Sequence, residues 1–98
     1  ISLITKDSKN IYVFEGFIFV EINENFNGDL LVLNSISMYK KSKEILKNYE
    51  EIFLFLDNDS AGEKMKNEML LDFSNAVDSS LMYKNFKDLN EFLVNKKL

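Results

Sequence analysis

The sequence contains no cysteine, no histidine and no arginine. Without cysteine, the chain forms no disulfide bond and no thiolate metal site, and nothing in it suggests secretion. Without histidine, it has no imidazole base or ligand and no nucleophile–histidine pair. Because all twelve basic residues are lysines, bidentate guanidinium binding of phosphate is excluded as well. The chemically capable groups that remain in quantity are carboxylates, so we expect any catalysis to be carboxylate and metal chemistry.

The chain also has fewer positive than negative side chains. Asp and Glu outnumber Lys by 16 to 12, which gives a formal net charge of −4. A domain that binds DNA by charge alone is expected to be basic. This chain therefore needs a bound metal ion, or basic regions elsewhere in a parent protein, to approach nucleic acid.

Long hydrophobic runs are absent too. No stretch approaches the ~18 apolar residues of a membrane span, and no signal-peptide pattern opens the chain. We therefore predict no membrane association and a cytoplasmic location. The 98 residues, 46% of them apolar and nine of them Phe, suit one small domain over residues 1–98. Since the chain begins at Ile1 without a Met, we expect it to be a C-terminal fragment of a longer protein.

Apolar runs alternate with segments of helical pattern along the chain. The sequence predicts strands at 11–14, 30–34 and 51–57, a weaker fourth strand at 76–83, and helices at 17–26, 37–49, 60–73 and 88–97. The stretch "SLIT" (2–5) is predicted to form a hairpin with the strand at 11–14. Capping signals mark three of the helix starts: Ser37, the pair Ser60 and Glu63, and the pair Asp88 and Glu91.

Continuous apolar strands that alternate with helices are typical of a mainly parallel sheet covered on both faces. We therefore predict an α/β fold of three layers, with about four strands in the sheet and an added N-terminal hairpin strand. Ligands bind such sheets at the carboxyl ends of the strands. Polar residues end three of the predicted strands: Glu15 the first, Asn34 and Ser35 the second, and Asp57 and Asp59 the third.

Three carboxylates converge if the first and third predicted strands are neighbours, namely Glu15, Asp57 and Asp59. Two carboxylates about 5 Å apart repel by roughly 3 kcal/mol at an effective dielectric constant of about 20. The group is therefore unfavourable unless one carboxylate is protonated or a cation lies among them. Oxygen ligands without His or Cys suit Mg²⁺ or Mn²⁺, which would stabilise an oxyanion during phosphoryl or nucleotidyl transfer.

A simpler interpretation of the two aspartates stays open. Aspartates at strand-to-helix turns are common and a lone D-x-D is a weak motif, so Asp59 could merely cap the helix that follows. Two glycines favour the metal site. Gly16 allows a tight turn behind Glu15, and Gly62 could let a phosphate approach the backbone N–H groups at the helix start.

The stretches "VFEGF" (13–17) and "FLFLDNDSAG" (53–62) resemble the Toprim domain, which bacterial primases, topoisomerases and some nucleases share. The family pattern is a Glu, usually followed by Gly, after a first strand, and then D-x-D-x-x-G after a later strand. "LVLNSIS" (31–37) and "YKNFKDLNEFL" (83–93) are similar to the primase-like branch found in mobile elements of Bacteroidetes, where a zinc-finger primase segment often precedes the Toprim domain. The resemblance covers about residues 11–93 and implies a Rossmann-like, three-layer fold.

The resemblance also implies a role for each matching position. Glu15 would act as a general acid/base or as a metal-proximal carboxylate, and Asp57 and Asp59 would bind Mg²⁺ or Mn²⁺. Asp88 matches a further acidic position near the family's site, although it also suits the helix cap noted above. The residues predicted to contact substrate are Gly16, Asn34, Ser35, Gly62 and Lys64.

Two positions depart from the family pattern. Primase-like members commonly carry an acidic residue four positions after the Glu, where this chain has Phe19. A basic residue often follows the last Gly of the motif, where this chain has Glu63. The loss of one carboxylate and the exchange of a cation for an anion both lower the expected catalytic competence.

Three functions stay open from the sequence alone. The first is a metal-dependent nucleotidyl- or phosphodiester-transfer module of a DNA primase-like or mobilisation protein, which contacts DNA through other parts of its parent chain. The second is a catalytically weakened Toprim fold that binds DNA or a protein partner, which Phe19 and Glu63 favour. The third is a haloacid dehalogenase-like or receiver-like protein with Asp57 as phosphoacceptor, which leaves Glu15 and Gly16 unexplained.

Overall fold

The structure of the chain is a computed structural model, and it describes residues 2–16 and 26–96. The helix predicted at 17–26 lies almost wholly outside these residues. The strands are β1 (Ser2–Ile4), β2 (Asn10–Phe14), β3 (Asp29–Val32), β4 (Glu51–Phe55) and β5 (Ala76–Asp78). The α-helices are α1 (Tyr39–Leu46), α2 (Ser60–Asp72) and α3 (Leu89–Lys96), with 3₁₀ turns at Ile36–Met38 and Ser80–Tyr83.

The strands form one five-stranded sheet in the order β1-β3-β2-β4-β5. Strands β2, β3, β4 and β5 run parallel, and β1 is antiparallel at the edge. The mainly parallel α/β sheet predicted from the sequence is therefore confirmed. The first and third predicted strands, β2 and β4, are neighbours, which is the condition for the three carboxylates to converge.

The predicted N-terminal hairpin is wrong in its pairing. Strand β1 exists, but it pairs with β3, with Leu3 opposite Leu31. Both edges of β2 are already occupied, by β3 and by β4, so β1 adds to the free edge of β3. The buried Asp29 carboxylate fixes the loop after β1, because its Oδ1 accepts hydrogen bonds from the backbone N–H groups of Lys6 (2.6 Å) and Ser8 (3.2 Å).

Helices cover both faces of the sheet, and each face has its own apolar core. Successive strand residues point to opposite faces. One core joins the sheet to α1 and α2 and is mainly aliphatic; its buried members include Val13, Leu31, Leu54, Met65 and Met69. The other joins the sheet to the second 3₁₀ turn and α3 and is rich in aromatic rings; its members include Phe14, Phe26, Phe55, Tyr83 and Phe92.

These two cores fix how β2 lies against β4. In the parallel pairing, Val13 lies opposite Leu54 and Phe14 opposite Phe55. The Phe14 and Phe55 rings stack with their centroids 5.3 Å apart. A slip of one residue would exchange the aliphatic and aromatic faces of β4. The register therefore holds the ends of the two strands, and the residues that follow them, side by side.

The helix boundaries differ from the predictions at several places. Ser37 is not the N-cap of α1, because it lies inside the 3₁₀ turn Ile36–Met38, and Met38 occupies the cap position without a side-chain hydrogen bond. The fourth strand ends at Asp78 rather than at Tyr83, since the chain turns into the second 3₁₀ turn. The Asp88 cap of α3 is confirmed by a 2.8 Å hydrogen bond from the N–H of Glu91. None of the described helices is long and apolar enough to cross a membrane.

Candidate metal centre

The carboxyl ends of β2 and β4 form the point at which the strand order of the sheet reverses. From β2 the chain continues to β3 on one side, whereas from β4 it continues to β5 on the other side. In open parallel sheets, the crevice at such a switch point is the place where ligands bind. Glu15 directly follows β2, and Asp57 and Asp59 follow β4, so all three carboxylates lie at this crevice.

The predicted convergence of the three carboxylates is present in the structure. Each of Glu15, Asp57 and Asp59, the acidic triad below, offers an oxygen atom, and these atoms all lie within 4.8 Å of one another. Glu15 and Asp57 are partly buried and Asp59 is exposed. The triad therefore has one side against the protein and one side open to solvent, as a site that receives an ion and a substrate requires.

Gly62 is needed because α2 begins in close contact with the triad. A Cβ atom built at this position would overlap the carbonyl oxygen of Asp57 and would lie 2.9 Å from its carbonyl carbon and 3.1 Å from Glu15 Oε1. The Asp57 N–H also donates a 3.3 Å hydrogen bond to Glu15 Oε1. Glycine at this position lets the first turn of α2 pack against the strand ends that carry the carboxylates.

Asp59 combines the two interpretations that the sequence left open. It is the N-cap of α2, and its Oδ1 accepts a 2.7 Å hydrogen bond from the N–H of Gly62. A carboxylate has two oxygens and about four acceptor positions. The cap therefore leaves acceptor capacity for an ion and holds the side chain in one orientation at the same time.

The carboxylates of the triad repel one another, and no positive group within the described residues pairs with them. Burial and the charges of Glu15, Asp88 and Asp59 raise the pKa of Asp57 from 3.8 to about 6, against a smaller opposite effect of Lys87. Burial likewise raises the pKa of Glu15, with a contribution from Asp59, despite its hydrogen bonds with Asp57. Within residues 2–16 and 26–96, no lysine forms an ion pair with the triad.

Asp29 and Asp78, in contrast to Asp57, have lowered pKa values because hydrogen-bond donors surround them. Although burial opposes it, hydrogen bonds from Tyr49 and the Lys6 N–H lower the pKa of Asp29. Hydrogen bonds from Ser80 and Lys66 lower the pKa of Asp78 in the same way. The pKa values of Glu15 and Asp57 are raised, whereas those of Asp29, Asp72 and Asp78 are lowered. A hard divalent cation, bound by oxygen ligands, fits this donor set and would relieve its repulsion.

The remaining residues predicted to contact substrate, apart from Gly62, are exposed. Asn34 and Ser35 are exposed at the end of β3, where Asn34 has a left-handed backbone (φ 65°) and Ser35 Oγ lies 2.9 Å from Ser37 Oγ. Lys64 is exposed on α2. Gly16 is exposed, has no positive φ and has no described atom within 4 Å of a built Cβ, so the structure gives no steric reason for glycine there.

Of the two positions that depart from the family pattern, Glu63 and Phe19, the structure describes only Glu63. Glu63 is paired with Lys66, whose Nζ lies 2.9 Å from Glu63 Oε2 and 3.2 Å from Asp78 Oδ2. The negative charge of Glu63 is therefore offset by a lysine that also links α2 to β5. Phe19 lies outside the described residues.

Sequence reasoning missed one polar residue of the site, Asn58. Its side chain and backbone donate hydrogen bonds to carbonyl oxygens of the segment 83–87. The only signal in the sequence was an amide side chain between two aspartates, and its partners lie 25 or more residues away along the chain.

Comparison with known proteins decides the family. Residues 12–93, more than half of the chain, match the family described as Toprim-like. This chain belongs to the Toprim-like family. No curated protein and no solved structure matches it. The five-stranded, mainly parallel sheet with helices on both faces is the fold expected of a Toprim domain, and the acidic triad lies within the matched residues.

Membership also bears on the phosphoacceptor alternative. A haloacid dehalogenase-like nucleophile belongs on the first strand, whereas Asp57 follows β4, the third of the parallel strands in chain order. The Toprim-like match accounts for Glu15 and Asp57 together. The finer resemblance to the primase-like branch of Bacteroidetes mobile elements stays a prediction.

Proposed function

We propose that this Toprim domain is the metal-dependent nucleotidyl- or phosphodiester-transfer module of a DNA primase-like or mobilisation protein. The observation that carries the proposal is the acidic triad at the switch point of the sheet, whose oxygens lie within 4.8 Å of one another without a lysine partner in the described chain. Toprim domains bind divalent metals, and we propose Mg²⁺ or Mn²⁺ here because all the ligands are carboxylate oxygens.

The residues of the triad have distinct roles in this proposal. Asp57 and Asp59 would hold the ion, and the cap on Asp59 keeps one of its oxygens in place. When bound, the ion supplies positive charge that stabilises phosphate oxygens. Glu15 would share the ion or move a proton as a general acid/base, since its Oε1 lies beside the Asp57 backbone at the edge of the triad.

The partners belong to the proposal as well. With a net charge of −4 and no arginine, the domain has few groups that bind a phosphate backbone. We therefore assign DNA contact to other parts of a parent chain, with a zinc-finger primase segment preceding the domain. Asn34, Ser35, Gly62 and Lys64 would contact the substrate near the metal.

A direct test is the stability of the chain in Mg²⁺ and Mn²⁺, compared with the double variant Asp57→Asn/Asp59→Asn. Asn caps a helix about as well as Asp, so the variant should fold. A metal at one hundred times its dissociation constant should stabilise the wild type by about 2.7 kcal/mol and leave the double variant unchanged. Glu44→Gln/Glu50→Gln, which removes two exposed charges elsewhere, is the control and should respond like the wild type. A wild type without response would contradict the proposal.

A second candidate, a binding module of weakened catalysis, is favoured by Glu63 at the position where the family often has a basic residue. Catalytic turnover distinguishes the two candidates, since only the first is expected to form product. Nucleotidyl-transfer and strand-cleavage assays on the parent protein with Mg²⁺ or Mn²⁺ should give product for the first candidate. Metal binding at the triad without any turnover would select the second.

A further inference from the structure

Asn58 lies between the two aspartates of the acidic triad and makes three hydrogen bonds to one distant segment. Its side-chain Nδ2 donates to the carbonyl oxygens of Tyr83 (2.9 Å) and Phe86 (2.8 Å). Its backbone N–H donates to the carbonyl oxygen of Lys87 (2.7 Å). A carboxamide has two N–H hydrogens. Both are used here, and since both partners are acceptors, only the nitrogen side of the amide fits this position.

The same segment is attached to the end of β4 from the other direction. The hydroxyl of Tyr83, a fully buried side chain, donates a 2.7 Å hydrogen bond to the carbonyl oxygen of Leu56. Four hydrogen bonds therefore join residues 56–58 to residues 83–87. The three that Asn58 donates are called the Asn58 clamp below.

We propose that Asn58 is a positioning residue, whose clamp holds the turn that presents Asp57 and Asp59 in the geometry that binds a divalent cation. The inference rests on the proposed function, because it assumes that the triad binds an ion. Its physical basis is that the backbone of Asn58 directly links both aspartates, so fixing it from outside the turn restricts both carboxylates at once. Partners that hydrogen-bond metal ligands directly typically affect metal affinity by about 10- to 100-fold, and we expect this indirect restraint to have an effect at the lower end of that range.

The clamp also makes the segment 83–88 part of the site. Lys87 accepts one of its bonds through the backbone, and Lys87 and Asp88 lie close enough for their charges to act on Asp57. Asp88 is at the same time the N-cap of α3. The segment before α3 is therefore connected to residues 57–59, called the metal turn below, through one backbone hydrogen bond and the two hydrogen bonds of the Asn58 side chain. A structural change in either segment should therefore affect the other.

The protein contains a matched control for this role. Asn75, before β5, also donates both hydrogens of its side-chain amide to carbonyl oxygens, those of Tyr49 (2.9 Å) and Glu50 (3.0 Å). These bonds lie at the amino ends of the strands, on the opposite edge of the sheet from the triad. Asn58→Ala and Asn75→Ala thus remove the same kind and number of side-chain bonds, one beside the triad and one far from it.

The first experiment is calorimetric titration of Mn²⁺ into wild type, Asn58→Ala and Asn75→Ala, at a temperature where circular dichroism shows each to be folded. We expect Asn58→Ala to bind Mn²⁺ about tenfold more weakly or worse, and Asn75→Ala to bind within twofold of the wild type. Equal affinities in all three proteins, or an equal loss in both variants, would overturn the positioning role.

For the variant Asn58→Asp, a charge-only explanation and the Asn58 clamp predict opposite changes in Mn²⁺ affinity. If only charge mattered, a fourth carboxylate beside the triad would tighten Mn²⁺ binding. The clamp predicts weaker binding, because an isosteric carboxylate would turn an oxygen towards the carbonyl oxygens of Tyr83 and Phe86. Tighter binding by Asn58→Asp would refute the clamp.

A third experiment, amide hydrogen exchange, uses only the wild-type protein and so does not depend on the folding of any variant. Because the clamp couples the segment 83–88 to the triad, Mn²⁺ should slow amide exchange in that segment as well as in the metal turn, and leave the amides around Asn75 unchanged. Slower exchange confined to the metal turn would overturn the inference. If the wild type binds no Mn²⁺ at all, the proposed function fails and the inference with it; if it binds but Asn58→Ala binds equally well, only the inference fails.

Discussion

A side chain at Gly62 would disturb both the packing of α2 and the acidic triad, because a Cβ there would meet the Asp57 carbonyl group and Glu15 Oε1. We expect Gly62→Ala to destabilise the protein by about 1–2 kcal/mol, because overpacking against a backbone carbonyl outweighs the gain in helix propensity of up to about 1 kcal/mol. The new Cβ would also push against Asp57 and Glu15, so Mn²⁺ affinity should fall. Urea unfolding and calorimetric titration measure the two effects.

Gly16→Ala is the control for this substitution, since a Cβ there would have no described atom within 4 Å. Its free energy of unfolding should stay within about 0.5 kcal/mol of the wild type. A Gly62→Ala protein as stable as Gly16→Ala, with unchanged Mn²⁺ affinity, would show that α2 can move away from the triad at little cost.

Asp57 should make the stability of the metal-free protein depend on pH. Its pKa is about 6 in the folded chain against an ordinary value of 3.8, so the native state binds more protons than the unfolded state between these values. Stability should therefore fall as the pH rises from about 4 to 6, with the penalty fully present above that range. At pH 8 in EDTA, Asp57→Asn should be more stable than the wild type by about 1 kcal/mol, a figure reduced for partial solvent screening.

The same urea series at pH 4 should show that most of this gain has disappeared, because Asp57 is then protonated in the folded state and about half protonated in the unfolded state. Asp78→Asn provides a control of opposite sign. The pKa of Asp78 is lowered in the folded state by Ser80 and Lys66 despite its burial, so this variant should lose stability at pH 8 and recover it as the pH falls. A gain for Asp57→Asn that does not depend on pH would refute the electrostatic explanation.

At the level of secondary structure, the elements that could be predicted are those whose signal is local. The apolar runs at 11–14, 30–34 and 51–57 each became a strand, and the pattern at 60–73 became α2. Their order then placed Glu15, Asp57 and Asp59 at one edge, because parallel strands end at the same side of a sheet. The acidic triad was therefore within reach of sequence reasoning before any coordinates.

The elements that could not be predicted depend on contacts between distant segments. The pairing of β1 follows from which strand edge stays free, and a hairpin rule that considers only neighbours in sequence cannot detect this. Strand β5 ends after three residues, where the N–H of Ser79 still donates to Leu54 O but the chain then turns. The Asn58 clamp is a further example, since its acceptors Tyr83 and Phe86 carry no pattern that identifies them as partners of Asn58.

Across the part of the chain that the structure describes, negative charge without a lysine partner is concentrated at the switch point of the sheet. The triad lies at the switch point, and Asp88 adds its charge to it from the start of α3. Bound Mg²⁺ would reduce the charge of the triad but would leave the chain acidic overall, since its formal net charge is −4 without the ion. Under the proposed function, the domain would therefore contact a phosphate group at one point, through the bound ion, rather than hold a nucleic-acid backbone along a surface.

This charge distribution leads to a prediction for DNA binding by the 98-residue chain. In EDTA, fluorescence anisotropy should detect no binding of single- or double-stranded DNA tighter than about 10⁻⁴ M at physiological salt, because the chain is acidic overall, with a formal net charge of −4. Mg²⁺ should strengthen binding modestly in the wild type and not in Asp57→Asn/Asp59→Asn, because only the wild type would place a cation at the crevice. Tight binding in EDTA that weakens steeply between about 50 and 200 mM salt would show instead that the lysines form a DNA surface of their own, and that the domain needs no other part of a parent chain to hold its substrate.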